Sequence, residues 1–97
     1  MIWPMSTDTP HLRLMPPEEV NAFCDRAERL TMDSYTVRLE SNAFRVSRTP
    51  WDATRLANAL WHYEKGNATI EALVRDIDAA AEACAGLVPA NRHPERL

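Results

Sequence analysis

Ninety-seven residues suit one domain with a single core, and 45% hydrophobic with 26% charged residues is ordinary globular usage that excludes disorder along the whole chain. Eleven basic against fourteen acidic residues leave a net charge of −3, which argues against a general binder of nucleic acid or of anionic membranes. No apolar run approaches the roughly 20 residues of a membrane span, and the N-terminus lacks the pattern of a secretory signal. Two cysteines, Cys24 and Cys84, lie far apart in the sequence. They point to reduced, buried thiols in a cytoplasmic protein rather than to a disulfide framework.

In chain order, residues 1–10 carry prolines and small polar residues without periodicity and are expected to form a flexible arm. A single domain is expected over 11–88. It begins with a short strand at His11–Met15, where polar and apolar residues alternate. Pro16-Pro17-Glu18-Glu19 then opens a helix, with proline in the first turn and carboxylates at the positive end of the dipole. Val20, Phe23, Cys24, Ala27 and Leu30 repeat at helical spacing, so this first helix is predicted over about 17–31.

The segment 35–48 switches to period two. Tyr35, Val37 and Leu39 alternate with polar residues, as do Phe44 and Val46. A two-residue turn at Ser41-Asn42 would pair Leu39 with Phe44, Val37 with Val46 and Tyr35 with Arg48, with every large apolar residue on one face. That pattern predicts a β-hairpin. The next stretch, Thr49 to Gly66, carries the clearest punctuation in the chain: Thr49 as N-cap, Pro50 in the first turn, Asp52 near the dipole and Gly66 as terminator. Ala53, Leu56, Ala57, Leu60 and Tyr63 form its apolar stripe. A last helix, predicted over about 68–86, carries Ile70, Leu73, Val74, Ile77, Ala81 and Cys84 on one side. The sequon-like Asn67-Ala68-Thr69 is best explained as the start of that helix. From Pro89 to residue 97 the tail is expected to be disordered.

A lone hairpin needs cover for its apolar face, and the helix that follows it is the natural cover. The fold class expected is therefore α+β: helix, β-hairpin, helix, helix, with a C-terminal antiparallel helical hairpin on a short antiparallel sheet.

Little in the residues suggests chemistry. The three histidines have no second ligand at metal spacing, the cysteines sit on apolar stripes, and two glycines cannot build a phosphate-cradling loop. No metal, cofactor or catalytic group is assigned. The last two helices make a poor helix-turn-helix, because the second would bring Glu71, Asp76, Asp78 and Glu82 with Arg75 alone against DNA.

Two surfaces stand out. At about 100° per residue, Trp51 falls nearly opposite the apolar stripe of its helix and Trp61 to one side of it. Trp51, Arg55, Asn58, Trp61 and His62 are therefore the candidate residues for binding a protein partner or for self-association, since tryptophan and arginine dominate binding hot spots. The hairpin concentrates Arg38, Arg45 and Arg48 against Glu40 alone, an anion patch if these charges do more than deter edge-to-edge pairing. The function expected is a small non-catalytic binding protein of the kind mobile elements encode: an inhibitor, adaptor or regulatory subunit. Polyanion binding by the arginine-bearing hairpin is the alternative, and a small acid–base enzyme around His62 the third.

Overall fold

Residues 13–85, the part of the chain that the computed structural model describes, form four α-helices: α1 Pro17–Leu30, α2 Tyr35–Ser47, α3 Pro50–Tyr63 and α4 Ala68–Ala85. Helix makes up 81% of these residues, and no strand or sheet occurs among them. The expected flexible arm at 1–10 and the disordered tail at 89–97 lie outside the described residues. So do His11 and Leu12 of the short strand; the rest of it, 13–15, is not a strand.

Local chemistry sets each helix start. Pro17 occupies the first turn of α1 and Glu18 and Glu19 follow. Ser34 caps α2 by accepting from the Val37 amide at 3.1 Å, and Thr49 caps α3 by accepting from Asp52 at 3.2 Å. Asn67 caps α4, its side-chain oxygen accepting from Thr69 at 3.0 Å and Ile70 at 3.1 Å. The sequon-like triplet is thus a helix boundary. Gly66 takes φ +86° in the turn before it, a conformation that strains any residue with a Cβ. Helix α3 has already ended at Tyr63, short of that glycine.

Short turns make chain neighbours antiparallel, and the long-range bonds agree. Cys24 of α1 donates to the Ser41 carbonyl of α2, Arg55 of α3 reaches Glu40 of α2, and Tyr63 near the end of α3 donates to Asp33 just before α2. The ring closes where Arg26 of α1 meets Asp76 of α4 and the Arg13 amide donates to the Cys84 carbonyl. Inside lie Met15, Val20, Phe23, Cys24 and Ala27, then Val37 and Phe44, then Ala53, Leu56, Ala57 and Leu60, and from α4 Ile70, Leu73, Val74, Ile77 and Ala81.

The expected α+β fold is overturned by α2. The residues read as a β-hairpin are one helix, so the pairings Leu39–Phe44, Val37–Val46 and Tyr35–Arg48 do not exist. The physical reason lies in Ser41. The inward stripe of α2 is Val37, Ser41 and Phe44, spaced i, i+4, i+7, and all three are buried. A serine at the middle position hides that stripe from a hydropathy reading, while Tyr35, Leu39 and Val46 supply an accidental alternation. Phe44 reaches the core as a residue of a helix, whereas Val46 is 87% exposed. Tyr63, expected on the inner stripe of α3, instead sits at the surface with its hydroxyl on Asp33.

Candidate protein-docking face

Because α2 and α3 are antiparallel neighbours joined by Arg48 and Thr49 alone, their outward sides form one surface. On α3 the positions 51, 55, 58 and 62 follow i, i+4, i+7, i+11 and lie on one ridge. Trp51, Arg55, Asn58 and His62 are all exposed there. Trp51 retains 64% of its surface. On α2 the same spacing brings Tyr35, Leu39, Asn42 and Val46 onto a second ridge opposite the buried stripe. Tyr35 is 74% and Leu39 51% exposed.

Between the two helices runs an open groove of about 450 Å³, lined by Ser34, Thr36 and Glu40 from α2 and its cap, and by Arg55, Asn58, Ala59, His62 and Tyr63 from α3; Tyr35, Leu39, Val46 and Trp51 do not line it. Its one ion pair joins Arg55 Nε to Glu40 at 3.3 Å, and the two partners are unequally placed. The arginine side chain is 66% exposed and the carboxylate 18%. The groove floor therefore holds the negative charge while the positive one faces water. Tyr63 donates to Asp33 at 2.9 Å, and that bond raises the phenol's pKa above its ordinary value.

Four of the five candidate partner-binding residues thus share one ridge. Trp61 does not. It is turned about 80° from Trp51 around α3, half-buried against the core, with its indole Nε1 buried and without a hydrogen-bond partner. The candidate anion patch is dispersed as well, because the hairpin that assembled it is absent. Arg45 bridges to α1, 2.8 Å from both Asp25 and Glu28, and its hydrogen bond to Glu28 holds it charged more firmly than usual. Arg38 donates to the Met32 carbonyl at 3.2 Å. Arg48 takes the left-handed φ of 55° at the end of α2. There its carbonyl accepts from the Met15 amide at 2.9 Å and its guanidinium donates to the Met15 carbonyl at 3.2 Å. That clasp holds Met15 in the core.

The outward ridge of α2 and the groove residues Ser34, Thr36, Glu40 and Tyr63 were not singled out by the sequence. The available signal was Ser34 as an N-cap: once α2 is helical, Tyr35, Leu39 and Val46 fall on one outward stripe. Elsewhere the thiols are free. Burial pushes Cys24 up to about 11, while Cys84 is half-buried. Among the described residues no three His, Cys, Asp or Glu side chains gather as a metal site, and no helix is long and apolar enough to cross a membrane.

No family model matches this chain, and neither a curated protein nor a solved structure does.

Proposed function

We propose that this chain is a small non-catalytic binding protein, an inhibitor, adaptor or regulatory subunit of the cytoplasm, which covers a macromolecular partner with its α2–α3 face. One observation carries the proposal: Trp51, Tyr35, Leu39 and Val46 stand exposed on two adjacent ridges that the core does not use. Large apolar residues scattered singly over a surface need no explanation, but a set aligned along neighbouring helices marks an interaction site. A tryptophan beside an exposed arginine is the composition of a binding hot spot. Free cysteines, one of them deeply buried, suit a reducing compartment. His62 shares the exposed ridge without a hydrogen bond to a described residue that would fix its ring, which favours a contact role over acid–base catalysis.

The experiment is affinity capture from the source cell with the wild-type chain and with Trp51→Ala in parallel, followed by titration of whatever purified protein is retained. Trp51→Ala is expected to weaken that binding at least tenfold, the size of one hot-spot residue, with helicity unchanged. Retention of the same protein with equal affinity by both chains would place the binding site elsewhere.

A further inference from the structure

We infer that the end of the bundle bearing Leu14, Val46 and Trp51 is a docking surface for the chain's own residues 1–12, with Ile2, Trp3 and Met5 as the apolar anchors. The inference shares Trp51 with the proposed binding function but does not rest on it. A partner that occupies Trp51 would compete with this segment.

One end of the bundle gathers the start of α1, the end of α2, the start of α3 and the end of α4, and residues 13–15 cross it. The Arg13 amide donates to the Cys84 carbonyl at 3.2 Å, and the Met15 amide to the Arg48 carbonyl at 2.9 Å. This crossing runs from the last turn of α4 to the α2–α3 junction. Met15 turns into the core, and Leu14, between its two fixed neighbours, is left half-exposed. Val46 in the last turn of α2 and Trp51 in the first turn of α3 flank the same junction, and both keep most of their surface in water. Three exposed large apolar side chains therefore share the end at which residues 1–12 enter the domain.

Reach selects the occupant. Ile2, Trp3 and Met5 precede Arg13 by eight to eleven residues, which span up to about 26–40 Å of extended chain. Two helices side by side measure about 20–24 Å, so these anchors can cross the end of the bundle to Val46 and Trp51 with slack. Residues 86–97 leave from the same end but are worse placed. Leu87 and Val88 follow Ala85 by two and three residues, a reach of about 7–11 Å that stays beside α4. Val46 is on α2, diagonally across the ring from α4. A second copy would have to arrive by collision, whereas the tether holds Ile2, Trp3 and Met5 at an effective concentration on the order of 1 mM. Pro4 and Pro10 also restrict the undocked segment, so less freedom is lost when it docks.

The test uses the full chain. Benzoylphenylalanine in place of Trp3 is irradiated and its adducts are mapped by mass spectrometry; they are expected on Leu14 and on residues 46–51. In a second measurement, NMR with a soluble paramagnetic agent compares wild type with Ile2→Ser/Trp3→Ser, two substitutions that precede the four helices. The Trp51 indole and the Val46 methyls are expected to broaden several-fold more in the variant. The methyl of Met32, exposed at the opposite end, should broaden equally in both. Equal broadening of Trp51 and Val46 in the two chains would overturn the inference, as would adducts confined to the opposite end or to residues 86–97. An increase at Met32 as large as that at Val46 would reveal a loosened domain and overturn it too. Adducts that join the crosslinker-bearing chain to isotope-labelled wild type as often as to itself would overturn the intramolecular contact in favour of exchange between copies.

Discussion

Helices α2 and α4 flank α3 and its neighbours in one ring, yet they distribute their apolar residues in opposite ways. In α4 the large apolar side chains, Ile70, Leu73, Val74 and Ile77, are all buried, with Asp78 buried beside them, and outward positions such as Arg75 and Asp76 are charged. In α2 the inward stripe has two apolar residues and a serine, while Tyr35, Leu39 and Val46 face water. A helix whose only demand is packing has no reason to place a serine inside and a valine outside. The contrast separates residues that the fold explains from residues it does not, and the unexplained ones run along the outward side of α2, with Val46 at the end nearest Trp51.

The comparison breaks first if α2 is not anchored as described. Phe44 is fully buried and is the largest side chain that α2 contributes to the core. Phe44→Ala should cost about 3–5 kcal/mol by urea denaturation, and Leu73→Ala in α4 about 2–5 kcal/mol. Either loss is a large part of a small domain's stability. A Phe44→Ala cost under about 1 kcal/mol would mean that α2 does not share the core with α4.

Cys24 sharpens the same point from the α1 side, because its thiol lies against α2, on the Ser41 carbonyl at 3.4 Å. Burial pushes its pKa up from 9.0 to about 11, with Arg45 opposing. The protonated thiol is thus the form the fold favours. Below pH 9 neither state ionises, and the contribution is fully present. Between about 9 and 11 the unfolded chain releases the proton while the folded one keeps it, so stability falls. The stability difference between wild type and Cys24→Ala should therefore narrow over that range in denaturant titrations. A native thiol titration should find Cys84 modified well before Cys24.

How far the sequence could be read follows the same division. Helix α4, the start of α3 and the opening of α1 are legible because caps and apolar periodicity coincide there: Pro17, Thr49 and Asn67 sit beside uninterrupted stripes. Of the candidate face, Trp51, Arg55, Asn58 and His62 could be grouped from helical angles alone. Helix α2 was illegible because apolar residues at i, i+2 and i+4 look the same on the buried face of a strand as on two sides of a helix. At about 100° per residue, Val37 points away from Tyr35 and Leu39. Only the tertiary context, with α1 and α3 covering Val37, Ser41 and Phe44, decides between them. The arginine patch failed for that reason too, since Arg38 and Arg45 would stand opposite each other only in a hairpin.

Two serines give smaller effects. Ser34 supplies the cap that the strand reading overlooked, and Ser34→Ala should cost about 1 kcal/mol if α2 begins there. Ser41 is fully buried, and its hydroxyl, close enough to the Cys24 thiol to lower that thiol's pKa, makes no well-formed hydrogen bond. An unsatisfied buried hydroxyl is a penalty, so Ser41→Ala should raise stability by about 1 kcal/mol and make the inner stripe of α2 wholly apolar. A loss of stability instead would show that the hydroxyl has a partner in solution.

The smallest effect on stability is the most informative. Val46 lies two positions beyond Phe44 on the same helix, and in a strand the two would share a face. On α2 they are turned about 200° apart, so one is core and the other is exposed. Val46→Gln should therefore change stability by no more than about 0.5 kcal/mol, and Leu39→Gln by a similarly small amount, because neither is needed by the core and glutamine suits a helix. If Val46→Gln destabilised the domain as Phe44→Ala does, the two residues would be packed alike and the outward ridge would not exist. If it leaves the melt unchanged yet abolishes binding of a partner, then the residues that made α2 resemble a strand are the ones that serve binding rather than folding.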